Sequence, residues 1–232
     1  MTMDPLVLLT DVDQATERLL STAAQLDPTA PSRLPGWTVG HVLTHVARNA
    51  DSFTTLLTGA RTGEDVPQYP SSTARDEDIE AGHTRPLTEQ IADLRESHDR
   101  FADAAAAMTA EAWAFVLSAN GRSAAFLPWA RLREVEVHHV DLGGGYTPED
   151  WSDAFAVRLI REITGGHNLE AAPLILRPHG LDQAITIGVP TESAPAVGGP
   201  TREIAAWLAG RSDGAGLTVA PDGELPVPPR WK

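Results

Sequence analysis

The 232-residue chain carries 18 Lys and Arg against 32 Asp and Glu, a formal net charge of -14, with no basic run, which argues against a polyanionic partner such as nucleic acid. Its 42% hydrophobic content is ample for a core, and the lack of cysteine excludes disulfides, thiolate metal sites and a nucleophilic thiol of its own. The start of the chain lacks a cationic segment and cleavage site, and no stretch reaches the roughly 18 uninterrupted apolar residues of a membrane span, so a soluble cytoplasmic protein is expected.

Asp4 and Pro5 read as cap and first residue of a long amphipathic helix, with Leu8, Leu9, Val12, Ala15, Leu19, Ala23 and Leu26 at helical spacing and an end near Asp27. After the connector PTAPSRLPGW, Thr38 is the expected N-cap of a second helix, closed by Gly59 or Gly63. Residues 62–86 mix Gly, Pro, Ser and charge, with a short helical candidate in TARDEDIEA. A third long helix spans Thr88 to about Met108, with Ile91, Leu94, Phe101, Ala105 and Met108 facing inward. A polar loop, SANGRSA, leads to a fourth helix from about Pro128 to Leu142, stopped by Gly143, Gly144 and Gly145. Four such helices predict a helix bundle over residues 1–145.

The pattern then changes. Thr147 caps an expected helix, PEDWSDAFAVRLIREIT, with Pro148 at its first position. The runs PLILR (173–177) and QAITIGV (183–189), separated by PHGLD, read as a hairpin, followed by a helix in TREIAAWLAG, a brief LTV and a proline-rich tail. Residues 146–232 are therefore expected to form a small mixed α/β domain, and the whole chain is expected to be a two-domain α+β protein.

One stretch, LREVEVHHVDLGGG (132–145), concentrates carboxylates and imidazoles. Residues four apart lie nearly above one another on a helix, so Glu134, His138 and Asp141 share a stripe with Arg131 one turn earlier, while Glu136 and His139 fall elsewhere. The second helix repeats His41, His45 and Asn49 at the same interval. One histidine of that set, joined to Glu134 and His138, would make a shell of two histidines and a glutamate with an open position, which suits zinc in a catalytic role and tolerates iron, nickel or manganese. The alternative is a solvated or hydrogen-bonded face, with His41 and His45 in packing or capping roles.

The motifs GWTxxHVxxHVAxN in the second helix, LREVEVHHVDLG in the fourth, AAWLAGR in the second domain and the terminal PPRW together resemble the mycothiol-dependent maleylpyruvate isomerase family. The resemblance spans nearly the whole chain and implies a DinB-like four-helix bundle followed by a small α/β domain. It implies His45, Glu134 and His138 as zinc ligands, leaving His41 and His139 as structural or outer residues. It also implies Arg211, in LAGRS, as an arginine given to the active site by the second domain, and Arg75, in TARDED, as another arginine position. The departures lie at Glu136, His139 and the stretch 190–198.

On this resemblance the expected activity is conversion of maleylpyruvate to fumarylpyruvate in gentisate catabolism, with zinc as the metal and mycothiol as a thiol cosubstrate. Two other readings stay open: a zinc- and mycothiol-dependent S-transferase acting on other electrophiles, and a noncatalytic metal- or ligand-binding protein. No feature of the sequence fixes the oligomeric state, and a monomer is compatible with it.

Overall fold

The computed structural model of the chain describes residues 5–118, 121–165, 172–189, 191–229 and 231. Asp4, expected as a cap, and Arg230 of the terminal motif lie outside the described residues. The chain divides into two compact units, Met1–Tyr146 and Thr147–Lys232.

The first unit is built on four long helices: α1 (Pro5–Ala23), α2 (Val39–Thr62), α4 (Leu87–Ala106) and α6 (Leu127–Asp141). Helix α1 buries Leu8, Val12, Ala15, Leu19 and Ala23 but ends four residues before Asp27, its last turns giving way to tighter hydrogen-bonded turns before Pro28. Helix α2 starts after Thr38 and ends at Gly63, whose φ of 76° is the left-handed geometry a C-cap asks of glycine. Gly59 instead lies inside α2, where an added Cβ would meet the Val66 side chain and the Glu64 carbonyl. Helix α2 packs chiefly on α4 and α6, and α1 packs on α6 and α4, so the core sits between all four.

Short elements fill in around them. Helix α3 (Ala74–Gly82) is the expected short one and leans on α2. Helix α5 (Ala110–Ala114), capped by Thr109 and burying Ala112 and Trp113, was not foreseen, being too short to show a period. The strands β1 (Val116–Leu117) and β2 (Arg122–Ser123) pair across the loop that precedes α6.

In the second unit the helix expected from Pro148 is two pieces. Thr147 caps a single 3-10 turn, Pro148–Asp150, with Asp150 answering to the Thr147 amide. Trp151, fully buried, is extended, and Ser152 Oγ then accepts from the Phe155 amide as a fresh cap for α7 (Asp153–Gly165). The hairpin forms as β3 (Leu174–Pro178) and β4 (Ile185–Ile187), paired antiparallel with Leu174 opposite Ile187. Strand β5 (Ala196–Gly199) pairs parallel to β3, and β6 (Thr218–Ala220) completes a sheet ordered β4-β3-β5-β6. Helix α8 (Thr201–Leu208) packs with α7 and over β3 and β5, burying Ile204, Trp207 and Leu208. Among the described residues no helix is long and apolar enough to cross a membrane.

Candidate metal centre

Local sequence fixes where α2 presents its histidines. The Thr38 side chain accepts from the His41 amide, and His41 Nδ1 in turn accepts from the Thr38 amide at 3.1 Å, a capping box with histidine in the place of the usual glutamate. His45 follows one turn on and is 4% exposed.

Helix α6 brings its stripe to the same place. His45 Nε2 lies 3.3 Å from Glu134 Oε2, and His138 Nε2 lies 3.6 Å from that same oxygen. One ligand atom from each residue falls within 4.8 Å of the others. Zinc bonds of ~2.1 Å in a tetrahedron put neighbouring ligand atoms about 3.4 Å apart, so these side chains fit one ion and leave a fourth corner open. The two rings cross at 80°, which lets both Nε2 lone pairs aim at a common point.

Partners around the triad set its orientation. Asp141, on the α6 stripe, accepts from His138 Nδ1 at 2.9 Å; with the proton held there, Nε2 is the lone pair left for an ion. Arg133 Nη2 donates to Glu134 Oε1 at 2.9 Å, leaving Oε2 toward the histidines. Burial pushes the Glu134 carboxyl up, but hydrogen bonds from His138 and His45 and the charges of His138 and Arg133 outweigh it and hold it well below the usual carboxylate range. For His138, burial opposes the charged ring, yet Asp141 and Glu134 together raise its pKa. Burial and the neighbouring His138 pull His45 down to about 4.

Glu136 and His139 point to α1 instead. Glu136 takes a hydrogen bond from Arg18 at 2.9 Å and another from the Tyr146 hydroxyl, and His139 pairs with Thr22 Oγ1 at 2.7 Å while stacking on Tyr146. Both side chains thus serve the α1–α6 packing rather than the triad.

A second group has the same composition. His41, Glu80 and His83 also offer ligand atoms within 4.8 Å of one another. Gly40 permits it: a Cβ there would come 2.2 Å from the His83 carbonyl oxygen. The His41 and His83 ring centres lie 3.6 Å apart with the rings nearly parallel, and Trp37 also stacks with His41, its ring centre 5.9 Å away. Because the Thr38 amide occupies His41 Nδ1, neutral His41 carries its proton on Nε2, the atom facing Glu80.

Of the two arginines, Arg75 lies at the triad's edge. From the first turn of α3 its Nη2 is 3.4 Å from His45 Nδ1, its Nη1 donates to Asp76 at 2.7 Å, and its guanidinium is 6.0 Å from the Trp37 ring centre. Arg211 belongs to the second unit. Its amide closes the turn after α8 on the Ala206 carbonyl while the Gly210 amide reaches Trp207, and its Nη1 donates to the Ala209 carbonyl at 2.7 Å, so it caps that helix.

Among the described residues near the triad, Arg133, Tyr69 and Ser52 were missed in the sequence. The Tyr69 hydroxyl bonds to Ser52, and burial raises its pKa against that hydrogen bond and the charge of Arg75, with the Glu134 charge adding to the rise. Ser52, seven residues after His45 on one face of α2, carries a helical-spacing signal; Tyr69, in an irregular connection, carries none.

The family model for the mycothiol maleylpyruvate isomerase N-terminal domain matches residues 9–143. The crystal structure of a mycothiol-dependent maleylpyruvate isomerase is similar to the chain at a TM-score of 0.89 and 30% identity, over 99% of this chain and 98% of that one. A variant of such an enzyme with one histidine replaced by alanine is similar at a TM-score of 0.89 and 29% identity, with the same coverage. No curated protein matches the chain. With more than half of its length matched by the family model and nearly all of it by a structure of this kind, the chain belongs to the mycothiol maleylpyruvate isomerase family.

Proposed function

We propose that the chain is a zinc- and mycothiol-dependent cis-trans isomerase that converts maleylpyruvate to fumarylpyruvate. The observation that carries this reading is the placement of His45 Nε2 and His138 Nε2 at 3.3 Å and 3.6 Å from one oxygen of Glu134, with a ligand atom of each residue within 4.8 Å of the others, in a chain similar throughout to a mycothiol-dependent maleylpyruvate isomerase. Those three atoms would hold the ion. A zinc ion there lowers the pKa of a coordinated thiol, so that a thiolate is available near neutral pH.

The chain has no cysteine, so the thiol is the cosubstrate's. Thiolate addition to one alkene carbon, rotation about the resulting single bond and loss of the thiol would give the trans isomer. The protein's own part is to hold negative charge while this happens. A ring that ligates through Nε2 keeps its proton on Nδ1, so Arg75 Nη2 then has no acceptor on His45 and is left to pair with a substrate carboxylate, which its fork matches. Arg211 is assigned a like role, toward a carboxylate or the enolate, on the family resemblance alone.

The test is incubation with maleylpyruvate, with and without mycothiol, of wild type and His45→Ala. Fumarylpyruvate is expected only from wild type with mycothiol, and His45→Ala is expected to lose both the ion and the turnover. Full turnover by metal-free protein overturns the reading, a stable thiol conjugate without fumarylpyruvate replaces it with an S-transferase, and binding without any product replaces it with a noncatalytic protein.

A further inference from the structure

The two polar stripes do not stop at the triad. One turn past His45 on α2 stands Asn49, and one turn before Glu134 on α6 stands Arg131, with no exposed surface at all. Arg131 Nη1 donates to the Val46 carbonyl at 2.7 Å and to Asn49 Oδ1 at 2.9 Å. Val46 adjoins His45 in sequence, so the same guanidinium grips the His45 turn and the next one.

This is an expensive way to join two helices. Arg131 Nε and Nη2 are buried and have no hydrogen-bond partner among the described residues. A buried guanidinium with donors unmet costs several kcal/mol against an apolar side chain of similar size, and substituting such groups by well-packed apolar residues is often neutral or stabilising. Burial pulls Arg131 down only to about 10, with Glu134 the first charge opposing that fall, so it stays protonated at neutral pH. What the arginine supplies that a leucine or methionine lacks is direction.

We propose that Arg131 is a positioning residue for the metal centre, locking the register of α6 against α2 so that Glu134 and His138 meet His45 at ligand distance. The proposal rests on the reading of His45, Glu134 and His138 as a metal triad. The residues that meet run in opposite orders, 45 then 49 on α2 against 134 then 131 on α6, so the two helices are antiparallel here. A slide of one along the other would change both Nε2 to Oε2 distances at once. A metal shell accepts deviations of only about 0.2 Å in its bond lengths, far less than the ~1.5 Å rise of one helical residue. Apolar packing between helices resists such a slide weakly, because ridges and grooves repeat; two directed hydrogen bonds, to the Val46 carbonyl and to Asn49 Oδ1, do not repeat. Arg133 acts differently, aiming the Glu134 carboxylate through Oε1, while Arg131 sets where the helix itself stands.

The test uses Arg131→Met, which packs but cannot donate, with Zn2+ affinity measured by chelator competition and the visible spectrum recorded with Co2+ as a stand-in. Expected are a fall in affinity of about 10- to 100-fold, as for other outer partners of metal ligands, and an altered Co2+ spectrum. Arg131→Lys, which keeps the charge and a single donor nitrogen, should recover part of the affinity. Leu19→Ala, a cavity in the core face of α1, supplies the contrast: it lowers the melting temperature but leaves the affinity and spectrum of the folded protein unchanged. Wild-type affinity and spectrum in Arg131→Met overturn the proposal. Should that variant not fold, Asn49→Ala decides, since it removes one of the two acceptors: weaker binding supports the proposal and unchanged binding overturns it. A wild type that binds neither Zn2+ nor Co2+ overturns the triad reading along with this one.

Discussion

Helix α2 carries two histidines one turn apart, and each belongs to a group of two histidines and a glutamate, yet the groups differ in what their ring nitrogens are free to do. Around His45 the rings cross at 80°, so lone pairs can converge; around His41 they lie 20° from parallel, so lone pairs run side by side. Asp141 accepts a hydrogen bond from His138 Nδ1, which keeps the proton there and leaves Nε2 open, whereas the Thr38 amide donates to Nδ1 of His41 and leaves Nε2 of the neutral ring protonated. Glu134 is held by buried Arg133, while the Glu80 side chain is 69% exposed. Composition is the same in both groups, although Glu134 and His138 stand four residues apart and Glu80 and His83 three. On the proposed reading, the hydrogen bond on the far side of each ring is what separates the group that would offer ligands from the one that would not.

The comparison breaks most readily at its glutamates. Glu134→Gln keeps the shape of the side chain but removes the charge, and is expected to abolish stoichiometric zinc binding, whereas Glu80→Gln should retain the wild-type metal content; metal analysis of the purified variants checks both. Equal loss in the two variants would mean that the groups are equivalent. A smaller effect is expected from Asp141→Asn, which leaves all three ligands in place and weakens only the charge behind His138. Zinc affinity should fall by about 10-fold or more by chelator competition, and an unchanged affinity would remove the outer hydrogen bond from the explanation.

Much of this was legible in the sequence because it depends on local periodicity. Thr38, Gly63 and the i, i+4 stripes of α2 and α6 are properties of single helices, and spacing alone put Glu134, His138 and Asp141 on one face. What spacing could not give is the difference between a ligand and the group that orients one, since Asp141 and His138 share a stripe and only their mutual distance separates the roles. Contacts between segments were equally hidden. Tyr69 reaches Ser52 from a connection without a period, and β5, with its paired glycines, exists because β3 lies parallel beside it. The break at Trp151 was missed because Pro148 is as good a start for one 3-10 turn as for a helix; burial of the indole, a tertiary matter, ends that turn. Arg211 shows the reverse case, in which a motif suggests chemistry while the residue is also occupied as a helix cap.

The smallest effect separates the two groups by pH. Burial first, then the neighbouring His83, pushes the His41 pKa below the ordinary histidine value of about 6.5, against the opposing pull of Glu80. A histidine depressed in the folded state takes up its proton more readily when unfolded, so its penalty is absent above the unfolded value and grows as pH falls through that value toward the folded one. The first unit should therefore lose stability on mild acidification. His41→Gln retains a residue that completes a capping box with Thr38 but does not titrate. Melting temperatures recorded from about pH 8 to about pH 5 on zinc-loaded protein should fall less steeply for His41→Gln than for wild type, with the two curves meeting above the unfolded histidine value. Parallel curves would show that His41 is protonated without cost, and that the capped ring has no less freedom to change its proton than an exposed one.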